Sequence, residues 1–169
     1  VAAVNLATAP RGLDRIKSVS DPDVFPHSVL AGAETALVLF CAAFYGEQDA
    51  VWIAEAGLRA TCVDTDAERV QVMKRIYPPD WDFIVANVYE FVYDALLCKW
   101  DVVTVDCGSA QFDRCADLIS VFCGLARRAV VLGTGFATVV LPPNGWSVTR
   151  ILFRSPFRGG VYWTVLEAA

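Results

Sequence analysis

Short apolar runs alternate with polar stretches of helical spacing along most of this chain. Residues 36–41, 59–63, 82–86, 101–105 and 129–132 read as five strands, the last broken by Gly133 and Gly135. Continuous apolar runs of this length suit strands buried on both faces of a parallel sheet. Between the first two, residues 47–56 predict a helix with Ala50, Ile53, Ala54 and Gly57 at helical spacing. Gly57 ends it, because glycine enters left-handed geometry without a steric cost. After Asp64, the run Thr65-Asp66-Ala67-Glu68-Arg69 offers capping oxygens and early acids for a second helix. Val70, Met73, Lys74 and Tyr77 share one face of it, and Pro78-Pro79 stops it. Asn87 opens a short helix reaching Cys98, and residues 111–126 predict another. The tail changes character. Residues 146–153 and 160–166 are β-rich around Ser155-Pro156-Phe157-Arg158-Gly159-Gly160, the pattern of a hairpin. Residues 28–35 predict a short helix leading into the first strand. Residues 1–28, with Asp21-Pro22 and Phe25-Pro26, read as an N-terminal arm before a single domain over 29–169.

Composition supports a large core: of 169 residues, 56% are hydrophobic, with a mean hydropathy of +0.45. The longest apolar run, 36–45, is too short to span a bilayer, so no membrane segment is expected. The net charge of −5 argues against a broad nucleic-acid-binding surface, which needs Lys and Arg facing phosphate. Arg127, Arg128, Arg150, Arg154 and Arg158 make the last third locally basic, either as a solvated face or as a contact for an anionic partner. Six cysteines without a CxxC pair, and His27 as the single histidine, argue against a zinc site, and no metal is expected. Cys41 and Cys62 fall in predicted strands, where a thiol is a small hydrophobe, so reduced cysteines and a cytoplasmic location are expected. The first residues lack the basic-then-apolar pattern of a secretory signal.

The candidate chemistry begins at Asp64. In a nucleotide-binding α/β fold, an acid at the tip of the second strand accepts hydrogen bonds from both ribose hydroxyls. Asp64 follows Gly46 by 18 positions, near the spacing of about 20 between a glycine-rich turn and such an acid. The alternative is that Asp64 only caps the helix that follows. Asn87 is similarly open, between a ligand contact and a strand-to-helix turn. At the end of the fourth strand stand Asp106-Cys107-Gly108-Ser109, at the mouth of the sheet, where ligands sit.

The order of elements, and the stretch V-W-I-A-E-A-G-L-R-A-T-C-V-D-T-D-A-E-R-V above all, resembles the class I S-adenosylmethionine-dependent methyltransferases, over roughly residues 30–167. The resemblance implies a doubly wound, mostly parallel seven-stranded Rossmann-like sheet with a C-terminal antiparallel hairpin. It implies S-adenosylmethionine as cofactor, with Asp64 on the ribose, Thr65 along the adenine edge, and Asn87 with the Val88 N–H at the adenine. Ala42 and Gly46 belong to the first loop. The family's first motif carries an acid on the first strand and then glycines. Here Phe40 stands in place of the acid, Ala42 and Phe44 in place of two glycines, and Gly46 survives. The cofactor's ammonium thereby loses its common indirect support.

The resemblance implies methyl transfer with Asp106 facing the acceptor as a base or orienting group. The acceptor is a small molecule, a protein or a structured nucleic acid. The N/D-P-P-Y/F sequence of amino-methylating nucleic-acid enzymes is absent. Cys107 invites comparison with the nucleophile of cytosine-C5 enzymes, against the plainer reading of a buried thiol. His27, on an arm able to serve as a lid, reads as an exposed or capping residue or as a base. The alternative function is a catalytically inactive methyltransferase-like protein acting as an interaction or assembly module. It is favoured by Phe40, Phe44 and Tyr45 in the first loop and by Phe153, Phe157, Tyr162 and Trp163 as candidate partner-facing aromatics. A nucleotide-linked oxidoreductase is weakened by the missing GxGxxG and by the hairpin.

Overall fold

A computed structural model describes residues 27–108, 112–134, 140–154 and 161–169. Seven strands form one sheet: β1 (Thr35–Leu39), β2 (Arg59–Asp64), β3 (Asp82–Val85), β4 (Trp100–Cys107), β5 (Ala126–Thr134), β6 (Trp146–Arg154) and β7 (Val161–Ala168). Their order is β3-β2-β1-β4-β5-β7-β6. The first five run parallel, and β7 enters antiparallel between β5 and β6. The α/β, doubly wound, mostly parallel seven-stranded sheet with its terminal hairpin is therefore present as expected.

The helices are α1 (Phe44–Glu55), α2 (Ala67–Ile76), α3 (Val88–Asp94), α4 (Phe112–Asp117) and α5 (Ile119–Leu125). Strand alternation sorts the core into two layers. Ala36 and Val38 of β1, Val102 of β4 and Val131 of β5 face α1 and α2, where Trp52, Ile53, Val70 and Met73 cover them. Leu37, Leu39, Val103, Val105, Val130 and Leu132 face the other way, under Val88, Val92, Phe122 and Leu125 of α3 and α5. Each such fully buried large side chain contributes about 1.5–3 kcal/mol.

Several boundaries differ from the sequence reading. The segment before β1 is one 3-10 turn, His27–Leu30, and Thr35 already pairs with Arg59. Helix α1 starts at Phe44 rather than at residue 47, so Gly46 lies inside its first turn and the loop after β1 is shorter than expected. The helix expected over 111–126 is two, α4 and α5, meeting at Leu118. Strand β5 runs through Gly133 to Thr134, paired with β4 and β7 on either side; neighbours on both edges overrode the glycine signal. Lys74 is exposed, whereas Val70, Met73 and Tyr77 are buried. The expected arm lies outside the described residues apart from the 3-10 turn, and Ser109 and Phe157 lie outside them too.

Candidate functional site

The parallel strands end together, and the tips of β1, β2 and β4 define the site. Past β1, the Cys41 N–H donates to Val63 O at 3.2 Å, and the Ala43 N–H donates to Phe40 O at 3.0 Å. Phe40 takes a φ of 57°, a left-handed conformation that costs a non-glycine residue about 1–2 kcal/mol. Its ring turns to the α3 side and meets Tyr89 edge-on, with centroids 5.6 Å apart. Ala43 then starts α1 as an N-cap that offers no side-chain acceptor.

Asp64 ties two loops together. Its Oδ2 accepts the Ala42 N–H at 3.0 Å, and its Oδ1 accepts the Asp66 N–H at 2.9 Å. The residue is 8% exposed. A carboxylate oxygen carries two lone pairs, so each keeps capacity for a further donor. Capping of α2 belongs to Asp66, whose Oδ1 accepts the Arg69 N–H at 3.0 Å. The alternative role considered for Asp64 is thus filled by its neighbour. Thr65 lies exposed between the two.

Beyond β3, the Ala86 N–H donates to Asp64 O at 3.0 Å. Asn87 caps α3: its Oδ1 accepts the Tyr89 N–H at 3.0 Å, and its Nδ2 donates to Glu90 Oε1 at 3.3 Å. These are the bonds of the turn reading. Asn87 itself is exposed, and the Val88 side chain is buried in the core. A cleft of about 630 Å³ opens between α3 and α4, lined by Asn87, Tyr89, Tyr93, Arg114, Asp117 and Leu118 among others. The Arg114 guanidinium sits 5.2 Å over the Tyr89 ring, a cation–π contact. Sequence reading missed this cleft, because Arg114 and Tyr89 come from separate elements that no local spacing connects.

Asp106 lies at the end of β4, 4% exposed. Alternation places it with Thr104 on the α1 face of the strand, where Asp49 of α1 is 1% exposed. Burial pushes the Asp49 carboxyl well above its ordinary 3.8, and the charge of Asp106 pushes it further, while the Thr104 hydroxyl opposes the rise. Two buried carboxyls that feel each other do not readily ionise together. Asp49 was not singled out from the sequence. Its signal was present, since Asp49 precedes the core residues Trp52 and Ile53 by three and four positions, which puts an acid on the buried stripe of the helix.

Cys107 points to the opposite face of β4, buried with Cys115 of α4 in the second layer. The Cys115 thiol and burial raise it well above the ordinary thiol value, which is the plainer reading of this cysteine. All six cysteines are free. Trp163, expected among exposed aromatics, is 1% exposed and packs edge-on against Trp52 at 5.8 Å. It faces the core because the hairpin brings β7 between two strands rather than to the sheet edge. The side chains of Phe153 and Tyr162 lie outside the described set. Among the described residues, no cluster of three or more His, Cys, Asp or Glu is placed to hold a metal. Among them, no helix is long and apolar enough to cross a membrane.

The site thus joins Ala42 and Asp64 directly and places Gly46 in the first turn of α1. Asn87 and Val88 start α3, across the Phe40–Tyr89 contact, and Asp106 stands on β4 toward α1.

No family model matches the chain, and no curated protein matches it in sequence. Solved structures do match in shape. An O-methyltransferase from Bacillus cereus in complex with SAH aligns with a TM-score of 0.68 at 11% identity, covering 96% of this chain and 86% of that one. Cofactor-bound Rv0187 from MTB aligns at 0.66 and 13% identity, covering 96% and 84%. TrmN from Thermus thermophilus aligns at 0.62 and 15% identity over 84% of this chain, which spans only 47% of TrmN. Strand order, hairpin and these likenesses agree: the chain has the class I S-adenosylmethionine-dependent methyltransferase fold.

Proposed function

We propose that this protein binds S-adenosylmethionine and transfers its methyl group to an acceptor. The observation that carries the reading is Asp64. It is a carboxylate at the tip of β2, held by the Ala42 and Asp66 N–H groups, with remaining lone pairs to accept two ribose hydroxyls. Ala42 and Gly46 form the turn into α1 beside the cofactor. Thr65 lies along the adenine edge, and Asn87 and the Val88 N–H approach the base. Asp106 stands at the reacting end, on the tip of β4. Methyl transfer is an in-line attack on a sulfonium carbon, so the protein's share is to align the acceptor and favour its ionised form. The acceptor is a small molecule, a protein or a structured nucleic acid.

Calorimetry with S-adenosylmethionine tests the reading. Micromolar binding by the wild-type chain, lost on Asp64→Ala, is the expected result. No binding at millimolar ligand would overturn it.

A second reading rests on a specific contact. The Phe40 and Tyr89 rings, 5.6 Å apart, stand between the β1 tip and α3. A protein that kept the fold as an interaction or assembly module has no use for an open adenosyl site there. That reading predicts a folded chain on which neither Asp64→Ala nor Phe40→Ala changes any ligand affinity.

A further inference from the structure

The resemblance expects an acid at the tip of β1, and Phe40 occupies the position with its ring on the α3 side. Acids appear instead on the opposite face at the same height. Strands β1 and β4 pair with Leu39 opposite Val105, so the next β4 residue, Asp106, comes level with Phe40. Asp106 and Thr104 face α1, and Asp49 of α1 feels both. The third wall comes from β5 and β7. Gly133 is the register partner of Asp106 and of Trp163. A Cβ on Gly133 would lie 3.7 Å from Trp163 Nε1, so the indole N–H lies over Gly133, the register partner of Asp106.

Three buried polar atoms here have no hydrogen-bond partner: Asp49 Oδ1, Thr104 Oγ1 and Trp163 Nε1. Thr104 is near enough for Asp49 to feel it, yet outside bonding geometry. Buried polar atoms are nearly always paired, and each exception calls for an explanation in strain, water, an ion or function. One of them within the acid pair and two beside it, all on a single sheet face, call for a polar partner there.

We propose that Asp49 and Asp106 together replace the acid missing from β1, forming an anionic subsite for the ammonium of a ligand's amino-acid end. Asp106, at the strand tip, meets the ammonium. Asp49 is a positioning residue: burial and Asp106 keep its proton on in the free protein, and the incoming ammonium, an opposite charge, lets it ionise behind Asp106. The inference rests on the methyl-transfer reading and adds to it which residues supply the lost charge. The physical logic is one of place: a field acts through space, so a carboxylate on the neighbouring strand, backed by one on the covering helix, serves where the first strand has none.

The test compares S-adenosylhomocysteine with its des-amino analogue, 5′-(3-carboxypropyl)thioadenosine, by calorimetry on the full chain. The two differ only in the amino group. The wild-type chain is expected to prefer the amino ligand by about tenfold or more. Asp49→Asn should reduce that preference to about twofold or less while the des-amino affinity stays put. Adding Phe40→Asp, which returns an acid to β1 at a φ that Asp tolerates better than Phe, should restore the preference. Asp106→Asn, read the same way, keeps the test open if Asp49→Asn fails to fold. An unchanged preference in a folded Asp49→Asn or Asp106→Asn protein overturns the inference and leaves cofactor binding intact. Equal weakening of both ligands overturns it as well, since that is the mark of a structural role. Failure of the wild-type chain to bind either ligand overturns the methyl-transfer reading, and this inference falls with it.

Discussion

Asp64 accepts the backbone N–H of Ala42 across 3.0 Å, and through that bond the tip of β2 fixes the turn that follows β1. The same carboxylate holds the Asp66 N–H, so one side chain sets the spacing of the segments that follow β1 and β2. Asp64→Ala should therefore cost stability as well as ligand affinity, by about 1–3 kcal/mol for the stranded N–H groups. Asp64→Asn keeps one acceptor oxygen and should fall between the two. Urea denaturation of the three proteins, with and without S-adenosylmethionine, reads both effects. A loss of ligand binding with no loss of stability would mean that the Ala42 bond contributes nothing to the fold.

The buried Asp49 makes stability depend on pH in an unusual direction. Its carboxyl is raised first by burial and then by the charge of Asp106. The folded state therefore keeps its proton at pH values where the unfolded chain, near the ordinary 3.8, has lost it. The stabilisation is complete below the unfolded value and declines as pH rises toward the folded one. Asp49→Asn removes the titration while preserving shape. Between about pH 4 and pH 7 the wild-type protein should lose stability relative to this variant. Denaturant midpoints across that range give the comparison, and parallel curves would sink the expectation.

The fold was largely legible because the strands announce themselves. Residues 36–39, 59–63 and 101–105 place apolar side chains on both faces of their strands, and a sheet covered on both sides calls for that. The hairpin was legible from a Pro-Gly turn between β-rich arms. The misses share a cause, which is long-range context. Nothing near Gly133 signals that β4 and β7 will hold it in a strand, and nothing near Trp163 signals that β6 will close the sheet beyond it. In the candidate site, the place of Asp64 at the end of β2 was legible because it depends on one strand alone. The Asp49–Asp106 pair was missed because it is assembled from a helix and a strand more than fifty residues apart.

Asp101 at the start of β4 offers the opposite case. Its Oδ2 accepts the Glu34 N–H at 2.8 Å, the Thr35 N–H at 3.0 Å and the Thr35 hydroxyl at 3.2 Å. Its Oδ1 receives Arg127 Nη1 at 3.4 Å. Partial burial works against the charge, yet these bonds prevail and hold the carboxyl below 3.8. The resulting stability is present above the unfolded value and is lost as pH falls through the folded one. Asp101→Asn should destabilise by about 1–3 kcal/mol at neutral pH, with the gap closing below about pH 3. Arg127→Ala should cost far less, because its exposed, screened ion pair is worth about 0–1 kcal/mol.

The thiols supply a last prediction, and it decides the role of Cys107. Cys98 is exposed and the other five cysteines are buried. Burial raises Cys123 to about 12, and Cys62 and Cys107 are also pushed well above the ordinary thiol value. A nucleophilic cysteine needs the reverse, an accessible thiol with a lowered pKa. An aromatic disulfide reagent at mildly alkaline pH should therefore titrate one thiol quickly, mapped to Cys98, and release the remainder only as the protein unfolds. Cys107→Ser should leave binding of S-adenosylmethionine unchanged, since its side chain packs against Cys115 on the face turned away from Asp49 and Asp106. Fast modification of Cys107 in the folded chain would reinstate it as a candidate nucleophile and force a different geometry at the tip of β4.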